Sequence, residues 1–149
     1  MLRRQWLKHS AAGLLLATTL PKNSDASQVK KQIKVGQIGV GHPHASKLSV
    51  YRASPDYEVV GIVEPDEALK KSAMAQSVYS DLKWMTRDEL LNIKDLDAVL
   101  VETRVADLLN TAEVCITAGK HIHLDKPAGD NLTQYKRILD HAKKPNLLT

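Results

Sequence analysis

Ile33-Lys34-Val35-Gly36-Gln37-Ile38-Gly39-Val40-Gly41-His42-Pro43-His44 is the stretch on which the fold turns. Its first six residues have the β-branched, apolar character of a strand. Gly39 and Gly41 follow at once, spaced as in a phosphate loop. Such a loop lets a pyrophosphate approach backbone N–H groups at the N-terminus of the next helix. Gly39 permits the tight turn, and Gly41 leaves the approach open. Pro43 suits a first helical turn, where its missing N–H costs nothing. His44 stands where the usual fingerprint has a third glycine, so the loop alone is a weak signal, and a glycine turn without a ligand is the competing reading. The pattern predicts a helix from His44 to Ala53. It also puts His42, inside the loop, among the candidate cofactor contacts.

Outward from the loop, short apolar runs alternate with helical patterns. Glu58 to Val63 reads as a second strand, closed by Glu64. A carboxylate there can accept hydrogen bonds from the ribose hydroxyls and would repel a 2′-phosphate, so NAD is expected over NADP. A helix from Asp66 to Ser77, capped by Asp66, leads to a short third strand at Val78 and Tyr79. Thr86-Arg87-Asp88-Glu89 has capping-box spacing and opens a helix to Asn92. Asp97 to Val101 is the next strand. A helix from Val105 to Ala118 follows, with Gly119 as its terminal residue. His121 to Leu124 is a fifth strand, Thr133 to Lys143 a last helix, and Asn146 to Thr149 the start of a sixth strand. The alternation predicts an α/β fold, a doubly wound parallel sheet of Rossmann type.

The second informative stretch is Gly119-Lys120-His121-Ile122-His123-Leu124-Asp125-Lys126-Pro127. Asp125, Lys126 and Pro127 follow a strand, at the carboxyl edge where open α/β sheets bind ligands. A lysine there can hold a substrate hydroxyl and ease its deprotonation; a solvated lysine before a turn proline is the duller reading.

The order of strand, glycine loop, acidic residue and Lys-Pro turn resembles the glucose–fructose oxidoreductase and inositol dehydrogenase family (Gfo/Idh/MocA). Gly119-Lys120-His121 matches that family, and Asp125 replaces its usual Glu before Lys-Pro. The resemblance runs from Lys34 to about Lys143. It implies a Rossmann domain, an NAD(P) cofactor, and hydride transfer to or from sugars, cyclitols or similar polyols. It assigns Lys126 to the substrate and nicotinamide side as the catalytic residue, with Asp125 and Pro127 beside the cofactor. Thr103 is expected to line the nicotinamide pocket, although Thr103-Arg104 stands where the family usually shows Thr-Pro, and Leu108 where a nearby His is usual. The family continues into a second domain that supplies most substrate contacts and the oligomerisation sheet. That domain, and with it the oligomerisation surface, is expected to be absent from this chain.

Residues 1–26 read as a leader: a basic start, an apolar run from Ala11 to Leu20, and small residues at Ser24 and Ala26 before a cleavage point. Arg3-Arg4-Gln5-Trp6-Leu7-Lys8 resembles a twin-arginine export signal. The expectation is a periplasmic protein, anchored in the membrane only if the leader is retained. Residues 27–32 are a polar linker, and 33–149 form the dinucleotide domain. Without the leader, 17 basic and 16 acidic residues remain, which is no footprint for nucleic acid. Phe is absent, so Leu, Ile and Val must fill the core. Cys115 has no second cysteine to pair with and reads as a buried small hydrophobe.

His42, His44, His121 and His123 form a rival constellation. No carboxylate or cysteine completes a recognisable metal-ligand spacing, so no metal site is assigned. Three functional classes stay open: an NAD-dependent oxidoreductase, a catalytically inactive dinucleotide-binding module, and a metal- or solute-binding protein of the periplasm.

Overall fold

The computed structural model describes residues 31–143 and 147–149; the expected leader lies outside the described residues. Four parallel strands make one sheet: β1 (Ile33–Ile38), β2 (Tyr57–Val63), β3 (Ala98–Val101) and β4 (His121–Leu124). Their order is β2-β1-β3-β4. The chain therefore steps from β1 to β2 on one side, then crosses to β3 on the other. The switch falls between β1 and β3, whose register pairs Ile38 with Val101. A crevice must open there, because the connections leave the two carboxyl ends in opposite directions.

Helices cover the sheet as the periodicity requires. α3 (Arg87–Leu91), α4 (Val105–Thr117) and α5 (Leu132–Lys143) lie on one side, where Leu90, Val99, Leu108, Cys115 and Ile138 are fully buried. α1 (Leu48–Ala53) and α2 (Glu67–Met74) frame the other, over Leu48, Ile62, Tyr79 and Leu100. β3 is apolar on both faces for this reason: Val99, Leu100 and Val101 are each at most 1% exposed. Burial pushes the Cys115 thiol up to about 12, so it packs as a hydrophobe.

The predicted caps form. Asp66 accepts from the Ala68 and Leu69 amides. Thr86 and Glu89 close a reciprocal capping box. Gly119 ends α4 at φ +73°.

Two expected strands differ. Val78 and Tyr79 lie in a 3₁₀ turn, Ser77–Tyr79, because Tyr79 turns inward and is only 3% exposed. The chain reaches the sheet edge later, where Ile62 pairs with Trp84 in an isolated parallel bridge. Asn146 lies outside the described residues, and 147–149 are not a strand. The Leu148 carbonyl nonetheless accepts from the Ile122 amide at 2.9 Å, alongside β4. The helix expected from His44 starts as a 3₁₀ turn, Ala45–Lys47, and becomes α-helical at Leu48.

Candidate functional site

The glycine loop is pinned to the ends of three strands. The Gly39 amide donates to the Val63 carbonyl at 2.8 Å, and the His42 amide to the Glu102 carbonyl at 2.9 Å. Gln37, fully buried within β1, donates from Nε2 to the Gly39 carbonyl at 2.8 Å. Gly39 has φ +95°, and a Cβ there would lie 2.5 Å from the Thr103 nitrogen and 2.6 Å from the Glu102 carbonyl carbon. Only glycine lets β1 turn this close to the end of β3. At Gly41 a Cβ would meet Arg104 Cγ at 2.9 Å, so this position too is kept bare.

Beside the loop lies a crevice of about 840 Å³, lined by Gly41, Glu64, Asp66, Trp84, Thr103 and Arg104 among others. Its size falls within the range of small-molecule and cofactor clefts, about 300–1,000 Å³. Glu64 accepts from the Val40 amide at 2.8 Å and the Asp66 amide at 2.9 Å, one on each carboxylate oxygen. Each oxygen retains a second lone pair for a hydroxyl group. Across the crevice, Arg104 reaches Asp66 at 3.1 Å. Thr103 Oγ1 is buried and has no hydrogen-bond partner. Thr103 also lines the crevice, so a polar group bound there would lie beside this hydroxyl. Leu108 is fully buried in the core rather than at the crevice.

The sequence of residues 33–149 matches the profile of an oxidoreductase family described as having an NAD-binding Rossmann fold. The chain belongs to this family, Gfo/Idh/MocA. A 3-ketoreductase from Actinomadura kijaniata, solved in complex with TDP-benzene and NADP, is 26% identical and superposes with a TM-score of 0.67 over 79% of this chain and 37% of its own. An NAD-binding protein from Listeria innocua is 27% identical, with a TM-score of 0.67 over 79% of this chain and 34% of its own. Biliverdin reductase from Synechocystis, solved with biliverdin and NADP⁺, shares the fold at 22% identity and a TM-score of 0.64, over 78% of this chain and 36% of its own. This Gfo/Idh/MocA chain thus spans about a third of the length of the solved proteins it matches.

The structure divides the predicted site residues into two groups. Gly41, Glu64 and Thr103 share the crevice, with Gly39 packed behind Thr103. His42 and Asp125 lie together on the other side of the loop: His42 Nδ1 is 3.8 Å from Asp125 Oδ2. His42 is 5% exposed, and its Nδ1 accepts from the His44 amide at 3.2 Å. Its position is internal, a support for the turn rather than a group presented to the crevice. Lys126 and Pro127 are exposed in the turn after β4. The Lys126 amide donates to Asp125 Oδ1 at 2.8 Å, so Asp125 braces the turn that carries the lysine.

Around Asp125 the structure gathers groups that local patterns did not reveal. Glu102, at the end of β3, is fully buried, and its Oε1 lies 2.9 Å from Lys47 Nζ. Lys47 also pairs with Asp125 Oδ2 and lies 2.9 Å from His123 Nε2. His44 Nδ1 is 3.1 Å from Asp125 Oδ2. Burial by itself would raise the Asp125 carboxyl, but hydrogen bonds from Lys47, the Lys126 amide and His44 hold it well below the usual carboxylate range. Burial disfavours the Lys47 ammonium, yet Asp125 and Glu102 outweigh it and raise its pKa. Burial, then the nearby Lys47 charge, lowers the His123 pKa. The one signal available in the sequence was Glu102 itself, a carboxylate closing the apolar run Ala98-Val99-Leu100-Val101.

Proposed function

We propose that this chain is the cofactor-binding part of an exported NAD-dependent oxidoreductase that acts on sugars, cyclitols or related polyols. The observation that carries the reading is the crevice at the β1/β3 switch point, with a bare Gly41 on one wall and the unpartnered Thr103 hydroxyl on another. A dinucleotide fits this donor set. The loop at Gly41 would hold the pyrophosphate, the amides of Val40 and His42 being committed to Glu64 and Glu102; Glu64 would take the ribose hydroxyls and Thr103 the nicotinamide side. Two carboxylates, Glu64 and Asp66, face the ribose end, while the Arg104 charge is already answered by Asp66. That balance favours NAD over a 2′-phosphorylated cofactor.

When bound, the nicotinamide supplies the acceptor or donor of hydride. The residues of this chain supply position and proton handling. Lys126, on the braced turn, would orient a substrate oxygen. In the reductive direction its Nζ donates a proton as charge develops on that oxygen; in the oxidative direction the neutral amine takes the hydroxyl proton. Holding the substrate in register and away from water needs further surface, so polyol turnover is assigned to this domain together with a substrate domain of the kind the family carries. Export rests on the Arg3-Arg4 signal of the leader.

The test is calorimetric titration of the chain with NADH and NADPH. NADH should bind more tightly, and Gly41→Val, which sets a branched side chain against Arg104 and the phosphate path, should abolish binding while circular dichroism stays unchanged. Equal affinities for the two cofactors would remove Glu64 and Asp66 from the discriminating role. Unchanged affinity in Gly41→Val would move the cofactor out of the crevice.

A further inference from the structure

Five side chains from four places in the chain converge behind the glycine loop: His42 and His44, Glu102, His123, and Asp125. His42, His44 and Asp125 bring ligand atoms within 4.8 Å of one another, and so do Glu102, His123 and Asp125. Spacing of this kind suits a divalent ion. The centre, however, already contains a cation. Lys47 Nζ is hydrogen-bonded to Asp125 Oδ2 and His123 Nε2 and forms an ion pair with Glu102 Oε1 at 2.9 Å.

We infer that Lys47 is the internal cation of this site and a positioning residue for Lys126: it holds Asp125 against the first helix and β3, and Asp125 in turn fixes the Lys126 turn. The role given to Lys126 rests on the function proposed above; the tether itself does not.

The physical case has three parts. Glu102 is completely buried, and a buried carboxylate without a counter-charge is strongly disfavoured. His42 does not fill that role: its Nδ1, 3.4 Å from Glu102 Oε2, is occupied as an acceptor of the His44 amide, so it presents no proton to Glu102. Lys47 is therefore the ammonium that Glu102 and Asp125 share, one positive charge set between two carboxylates. Second, Asp125 uses its two oxygens differently: Oδ2 faces Lys47 and His44, while Oδ1 receives the Lys126 amide. Anchoring one oxygen orients the other. Third, Lys47 comes from the helical turn that follows the glycine loop, and Glu102 follows Val101, whose strand mate Ile38 precedes the loop. One ammonium thus ties the phosphate loop to the lysine turn. With His123 Nε2 accepting from Lys47, its Nδ1–H donates to the Tyr51 hydroxyl at 3.2 Å.

The experiment uses the full chain, with NADH titrated in parallel. Lys47→Met removes the charge and keeps the length of the side chain. In carbon NMR titrations the Asp125 carboxyl should rise by about one unit or more, and hydrogen exchange at the Lys126 amide should speed up about tenfold. Lys47→Arg should restore both. If Lys47→Met does not fold, the double variant Lys47→Met with Glu102→Gln removes the fully buried carboxylate along with its ammonium, leaves Asp125 in place, and gives the same two readouts. An unmoved Asp125 titration with unmoved Lys126 exchange overturns the tether. Zinc retained by the wild-type chain after dialysis from zinc chloride also overturns it, because a metal on Asp125 Oδ2 would expel the ammonium. If Lys47→Met gives the expected Asp125 and Lys126 responses while the wild-type chain does not bind NADH, the dinucleotide reading alone is refuted and the tether is supported.

Discussion

Replacing Gly39 by alanine tests whether the turn after β1 is built on close backbone approach. The added Cβ faces two separate costs. At φ +95° an L-residue is strained by about 1–2 kcal/mol. The new methyl also meets backbone atoms of Thr103 and Glu102 at 2.5 and 2.6 Å, and this backbone just after β3 cannot rotate aside as a side chain could; overpacking of this kind costs about 1–3 kcal/mol. The two together predict a loss of about 2–5 kcal/mol in unfolding free energy. Gly119→Ala provides the control: its φ is +73°, and nothing lies within 4 Å of the new atom, so only the strain of about 1–2 kcal/mol applies. Urea unfolding of the two variants isolates the contact. Gly39→Ala should be the less stable by about 1–3 kcal/mol, and its NADH affinity should fall because Gly41 and Thr103 move with the turn. Equal stability of the two variants would refute the close-approach argument.

Further outcomes follow from the same physics. Thr86→Ala removes the reciprocal cap of α3 and should lower stability by about 1 kcal/mol in urea unfolding. The Arg137 guanidinium, bonded to Glu113 at 2.6 and 2.8 Å, lowers the Glu113 carboxyl from 4.5 to about 2. A depressed folded pKa means the pair contributes fully above the unfolded value and is lost as pH falls toward the folded one. The urea midpoint of the wild type should therefore drop more steeply between pH 4.5 and 2 than that of Glu113→Gln; parallel curves would count against the pair. For the leader, a reporter fused to residues 1–30 should be exported, and Arg3→Lys with Arg4→Lys should leave it in the cytoplasm; export in cells lacking the twin-arginine pathway would mark a general secretory signal instead.

By itself the sequence determined what short-range physics writes into it. β1, β3 and β4 stand where runs of apolar and β-branched residues announce them. Asp66, Thr86 and Gly119 terminate helices because their chemistry satisfies the nearest unpaired backbone groups, a matter of two or three residues. Gly39, Gly41 and Glu64 could be placed near one another because they follow strands that the hydrophobic pattern marks, and Thr103, expected from the family resemblance, lies with Gly41 and Glu64 along the same crevice. Val78 and Tyr79 misled because a short apolar pair carries no information about direction; Tyr79 is buried by the packing of α2 on the sheet, not by strand pairing. Only the tertiary structure decided the fate of the polar groups. His42 and Asp125, read as cofactor contacts, lie behind the loop, and Lys47 meets Asp125 across 78 residues of chain. No local period encodes that meeting. It arises because parallel strands deliver their carboxyl ends to one edge, so charges remote in sequence are brought together and must neutralise one another once water is excluded.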